Sequence, residues 1–122
     1  MTTLNLRLLH FIFICCLLFI FYSATTSNDI SDMSFSSDKA NHFAAFFVLT
    51  LLMDLSYPNK SLLYKTSLLL AYGFIIECVQ WQLPTRSFSL LDLAADSAGI
   101  MAYWIIATLY LAINAKLQKI MF

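Results

Sequence analysis

Residues 8–24 contain no charged side chain and are crowded with Phe, Ile and Leu. A run of that kind suits a tight crossing of a bilayer, whose hydrocarbon core takes about 20 helical residues at roughly 1.5 Å rise each. Three more apolar runs follow. Residues 40–57 are interrupted only by His42 and Asp54 and closed by Pro58; residues 62–81 carry Lys65 near one end and Glu77 near the other; residues 95–114 are uncharged from Ser97 onward. In lipid every backbone polar group must be paired within its own segment, so these runs are expected to be helices. The connection Pro58-Asn59-Lys60-Ser61 is short, which favours antiparallel neighbours. The expected fold is all-α: a membrane-embedded bundle of four transmembrane helices, one domain over residues 1–122.

Composition agrees with that reading. The chain is 61% apolar and 11% charged, far from ordinary soluble usage. Its formal charge is zero, which gives no footprint for nucleic acid or for general attraction to anionic surfaces. Cys15 and Cys16 are adjacent in the most apolar run and Cys78 is distant, with no CxxC spacing. They read as buried inert thiols, not as a disulfide frame or a thiolate metal site. The first run is alternatively a cleaved signal peptide. Its basic region is only Arg7 and the small-residue cleavage pattern is not cleanly present, so retention is expected.

Orientation follows from basic residues in short flanks. With four crossings, Arg7, Lys60, Lys65, Lys116 and Lys119 share one side, leaving Lys39 and Arg86 on the other among Asp29, Asp32, Asp38, Glu77, Asp92 and Asp96. Both termini are therefore expected to be cytoplasmic, with loops 25–39 and 82–92 outside. The chain reads as an integral membrane protein, of a bacterial cytoplasmic membrane on the resemblance described below.

The polar residues that remain converge on that outer side. Asp38 and His42 stand four apart and share a helix face, with Asp38 favoured near a helix N-terminus, as an N-cap or as a carboxylate holding the imidazole. Glu77 lies about 18 Å along its helix from Lys65, short of the far boundary of a hydrocarbon core about 30 Å thick. An ionised carboxylate facing lipid there costs about 3 kcal/mol, so Glu77 should face the bundle interior, with Gln80 on its face. Arg86 is the lone basic residue of its loop and offers a planar fork suited to carboxylate or phosphate. Pro84 ends the third helix, and Ser89 or Asp92 starts the next. Asp92 and Asp96 again share a face, where two acids could hold Arg86 and Lys39, bind a cation or supply acid–base chemistry, and Gly99, a turn deeper, permits close helix contact. His42 and Glu77 are the candidate acid–base pair; Asp38, Lys39, Gln80, Arg86, Asp92 and Asp96 are the candidate ligand-binding residues. One histidine and scattered carboxylates at no recognised spacing give no metal motif, and no nucleotide loop, Ser–His–Asp order or cofactor motif appears. Asp54 reads as a boundary residue salt-bridged to Lys60 or Lys65.

The series Asp38-Lys39-x-x-His42-Phe43-x-x-Phe46, Glu77-x-x-Gln80 and Pro84-x-Arg86-x-Phe88-Ser89-x-x-Asp92-Leu93-x-x-Asp96-x-x-Gly99 resembles the VanZ-like family of small membrane proteins. The likeness covers residues 38–99. It implies a compact multi-helix membrane protein related to one associated with low-level teicoplanin resistance. This chain differs where many members carry Asn, at Asp96, and around Tyr103, where a further Gly is frequent.

Three functions fit the residues. One is a site at the outer face that binds or processes the head group of an envelope lipid or a cell-wall precursor, a glycopeptide-related ligand included. Another is a non-enzymatic scaffold or accessory subunit. The third, an ion path through Glu77 and Asp54, lacks a continuous polar stripe between them. Membrane lipids are the expected partners, and four spans enclose so little room that a homo-oligomer stays open.

Overall fold

A computed structural model describes the backbone of residues 3–26, 35–84 and 87–121, and the side chains of 5–26, 38–84 and 87–119. Among them are four helices and no strand: α1 (Thr3–Thr25), α2 (Phe35–Ser56), α3 (Leu62–Gln80) and α4 (Leu90–Met121). The four apolar runs each became a helix, but the ends moved. α1 starts before residue 8, α2 starts at 35 instead of 40, and α4 starts at 90, where the Ser89 signal puts it although the apolar run begins at 95, and continues past 114 to 121. Polar residues extend a helix when their side chains find partners, so hydropathy alone draws the boundaries too tightly. Asp38 consequently lies in the first turn of α2 and is not its N-cap. Local capping is clear at two places: the Ser61 side chain accepts from the Tyr64 amide at 3.2 Å to start α3, and Ser89 Oγ accepts from the Asp92 amide at 3.2 Å to start α4.

Side-chain contacts settle the directions. Tyr72 Oη donates to the Leu17 carbonyl at 2.6 Å and Gln80 Nε2 to the Ala24 carbonyl at 3.0 Å, so α1 and α3 run parallel. Lys39 meets Asp92, His42 meets Asp96 and Tyr103 meets Asp54, so α2 and α4 also run parallel. Lys65, at the start of α3, pairs with Asp54, near the end of α2, which makes those two antiparallel. α2 touches all three other helices and packs most extensively on α4, whereas α1 and α4 make no contact among the described residues. The apolar core lies where α1, α2, α3 and α4 meet around Phe13, Phe46, Leu49, Met53, Leu69 and Ile100.

The partition of residues is inverted relative to a soluble protein. Phe11, Phe19, Leu63 and Leu111 are each about two-thirds exposed or more, while Lys65, Glu77, Gln80, Asp92 and Asp96 are buried. An apolar exterior around a polar interior is what hydrocarbon surroundings demand. Three helices, α1, α3 and α4, are long and apolar enough to cross a membrane. α2 is not among them; its first two turns carry Asp38, Lys39, Asn41 and His42. The cysteines correct the sequence expectation. Cys15 is exposed, and Cys16 and Cys78 are half-buried, because α1 turns only one narrow face to the bundle. α4 continues roughly four turns beyond the end of α2, exposing Leu109, Tyr110, Leu111, Ile113 and Leu117.

α1 is held to α3 by the two hydrogen bonds from Tyr72 and Gln80, each worth about 0.6 kcal/mol in a membrane setting. Removing both in a Tyr72→Phe/Gln80→Ala variant should cost about 1.2 kcal/mol, or roughly a sevenfold rise in the open population of α1. Cys16 packs against the core and Cys15 faces outward. Maleimide labelling in micelles should therefore accelerate several-fold at Cys16 and not at Cys15; equal rates in both proteins would show that these bonds do not hold α1.

Candidate functional site

The site is built on the parallel seam between α2 and α4. Gly99 sets their distance: a Cβ there would collide with the Phe43 carbonyl oxygen and come within 3.0 Å of the Phe47 amide nitrogen. With backbones that close, residues three apart on α2 face residues four apart on α4. Two rungs result. Lys39 Nζ lies 2.7 Å from Asp92 Oδ1, and His42 Nδ1 lies 2.9 Å from Asp96 Oδ1. The imidazole is thus held by a carboxylate, but by Asp96 across the seam and not by Asp38 on its own helix. With Asp96 ionised and the imidazole neutral, Nδ1 carries the proton and donates, leaving Nε2 with its lone pair.

α3 completes the site from the third side. Glu77 is fully buried and its Oε2 accepts the Ser89 amide at 2.8 Å, which ties α3 to the start of α4. Its other oxygen, Oε1, is buried without a partner, and so is Asp96 Oδ2. Gly73 makes room for the latter: a Cβ at that position would stand 2.7 Å from Asp96 Oδ2 and 3.1 Å from the Phe46 ring. Asp38 and His42 are half-buried and Asp92 is buried, and ligand atoms of these three residues all lie within 4.8 Å of one another.

The structure therefore brings together Asp38, Lys39, His42, Glu77, Asp92 and Asp96. Gln80 sits one turn above Glu77, but its amide nitrogen is engaged with the Ala24 carbonyl, so it fastens α1 instead of reaching into the cluster. Arg86 lies outside the described residues. Three contributors were not singled out in the sequence. Gly73 is one of only two glycines and stands four residues before Glu77, a signal that was present. The Ser89 amide was invisible because a backbone donor carries no residue signature. Tyr103 is the third, and it works at the opposite end.

There, Lys65 Nζ lies 2.5 Å from Asp54 Oδ1, and Tyr103 Oη donates to Asp54 Oδ2 at 2.7 Å. Trp104 Nε1 donates to Thr66 Oγ1 at 3.1 Å, and the Lys65 ammonium stands 5.9 Å from the Trp104 ring centroid. Lys60 leaves Asp54 to Lys65 and lies over the Tyr64 ring instead. Both Asp54 oxygens are satisfied, which makes this cluster a clamp. Between the two ends lies apolar packing about 18 Å long. A separate cavity of about 220 Å³ opens between α1, α2 and α3, lined by Phe13, Leu17, Met53, Tyr57, Leu69 and Tyr72, away from the charged seam.

Chemically, the charged end offers a half-buried imidazole with one nitrogen unspent, a lysine ammonium and four carboxyl groups, two of them with an unpartnered oxygen. Comparison of this chain with family models, with curated proteins and with solved structures gives no match.

Proposed function

We propose that this chain is a VanZ-like integral membrane protein of the bacterial cytoplasmic membrane, crossing it four times with both termini cytoplasmic. The fourth crossing is α2, whose Lys39 and His42 are paired with Asp92 and Asp96 of α4. In this reading the His42 end faces outward and binds or processes the head group of an envelope lipid or cell-wall precursor. Lys39 and Arg86 hold its phosphate or carboxylate groups. His42, positioned by Asp96, and Glu77 serve as proton donor and acceptor if a bond is cleaved.

One observation carries the proposal: Glu77 Oε1 and Asp96 Oδ2 are buried without partners. Leaving a buried polar group unsatisfied costs about 1–3 kcal/mol, more when it is charged. The Asp54 clamp shows that this same bundle can saturate a carboxylate when only packing is at stake. A pair of idle carboxylate oxygens beside an imidazole is better explained by a ligand or a proton that comes and goes.

The scaffold reading draws on a different observation: Lys39–Asp92, Gln80–Ala24 and Glu77–Ser89 all tie helices together. Lipid profiling separates the two. Protein purified from native membranes should carry a specific polar lipid that Arg86→Ala and His42→Ala each reduce at least about tenfold, a loss of about 1.4 kcal/mol in binding. Protein levels should be unchanged. Identical lipid profiles together with reduced abundance of the variants would establish the scaffold and remove the ligand site.

A further inference from the structure

We propose that Asp38, His42 and Asp92 form a binding site for a six-coordinate divalent transition-metal cation of the Mn²⁺ type. Sequence spacing does not define this triad, because the third ligand comes from another helix 50 residues away. The fold supplies what spacing lacks. α2 presents Asp38 and His42 one turn apart, α4 presents Asp92 across the Gly99 seam, and the three ligand atoms converge within 4.8 Å of one another. Donor atoms no more than 4.8 Å apart can share one ion, and two carboxylates with one imidazole are a mainly hard donor set that suits Mn²⁺.

Two independent features point to a cation. The first is the support of the imidazole. Metal-bound histidines characteristically engage their other ring nitrogen with a carboxylate or carbonyl, which fixes the ring and raises its basicity. His42 Nδ1 is held in this way by Asp96 at 2.9 Å, which leaves Nε2 as the nitrogen assigned to the metal. The second is charge. Glu77, Asp92 and Asp96 are buried acids, and among the described residues Lys39 is the lysine that meets them, standing on Asp92. Glu77 and Asp96 are at most 1% exposed, each has an oxygen with no donor, and both lie within electrostatic reach of His42 and Asp92. An excess of buried negative charge is expensive, and a dication is the compact way to offset it. Mixed imidazole and carboxylate donors favour a transition ion over Ca²⁺ or Mg²⁺, which take oxygen ligands. Three protein ligands leave up to three positions for water or for the oxygens of a phosphate. That last role, a metal bridge to an anionic head group, rests on the function proposed above; the uptake of metal does not.

The test uses full-length protein in micelles, stripped with a chelator and titrated with Mn²⁺ while free ion is followed by electron paramagnetic resonance. One Mn²⁺ per chain is expected. His42→Ala and Asp38→Asn should each abolish saturable uptake, and Asp96→Asn, which removes only the support of the ring, should weaken it by about 10–100-fold. His42→Cys should move the preference from Mn²⁺ to Cd²⁺, because thiolate is a soft ligand; a merely structural histidine would give no such switch. Circular dichroism confirms that each variant is helical. Saturable Mn²⁺ uptake unaffected by His42→Ala, or no saturable uptake by the folded wild type, overturns the proposal. The two readings fail separately: metal bound without any specific lipid refutes the head-group function, whereas lipid bound by a protein that takes up no metal refutes the cation site.

Discussion

Gly99→Val should destabilise the bundle by about 3 kcal/mol, at the upper end of what overpacking usually costs. The sign is informative. Exchanging glycine for a larger residue inside a helix normally helps, by up to about 1 kcal/mol for alanine. At position 99 the new Cβ meets the Phe43 carbonyl and the Phe47 amide, which are backbone and cannot swing aside. α2 and α4 must separate, and with them the Lys39–Asp92 and His42–Asp96 rungs, whose bonds of 2.7 and 2.9 Å tolerate little displacement. Gly99→Ala should therefore also destabilise, by a smaller amount, against its helix propensity. Unfolding in mixed micelles by increasing denaturing detergent measures both. An unchanged or raised midpoint in Gly99→Ala would mean that α2 and α4 do not approach as closely as described.

The second large effect lies at the other end. Asp54→Leu should cost about 4 kcal/mol, within the range for breaking a buried ion pair by removing one partner. It strands Lys65, which is 3% exposed and keeps only its distant contact with the Trp104 ring. Lys65→Met should cost less, about 2 kcal/mol, because the Asp54 side chain is 30% exposed and retains the Tyr103 hydroxyl. The double variant Asp54→Leu/Lys65→Met should recover most of the loss, since replacing both members of a buried pair with apolar groups is often close to neutral. A double-mutant cycle on the unfolding midpoint gives the coupling directly. Additive losses would show that Asp54 and Lys65 act separately, and the description of a clamp would fail.

These expectations separate the two polar ends by what each is for. At the Asp54 end every strong donor and acceptor of the carboxylate is matched, and substitution is read as stability. At the His42 end the matching is incomplete, and substitution should be read as ligand or metal uptake. The difference is not visible in the Asp and Lys that both ends share, because it lies in the partners each carboxylate finds.

Much of the fold was legible in the chain. Four apolar runs separated by polar residues read as four helices, and three of them, α1, α3 and α4, are long and apolar enough to cross a membrane. Glu77 was placed inward on the cost of exposing a charge to hydrocarbon, and it is fully buried. Gly99 was read as a point of close contact, and it is one. Asp38/His42 and Asp92/Asp96 were each assigned a common face from their spacing of four. Those inferences rest on local rules, helical periodicity and solvation, which depend only on neighbours along the chain.

The tertiary structure decided everything that required a partner on another helix. Asp96, not Asp38, holds His42; Lys39 belongs to Asp92; Gln80 reaches α1 and not the cluster; Tyr103 completes the Asp54 clamp. Helix α2 begins at 35 and α4 at 90, so the paired Lys39 and Asp92 both lie inside helices and not in the loops that a hydropathy rule draws there. The convergence of Asp38, His42 and Asp92 depends on the register of two parallel helices brought together by one missing side chain. Sequence spacing reports which residues share a face. Only packing reports which faces meet, because the contact energy lies between segments more than 50 residues apart.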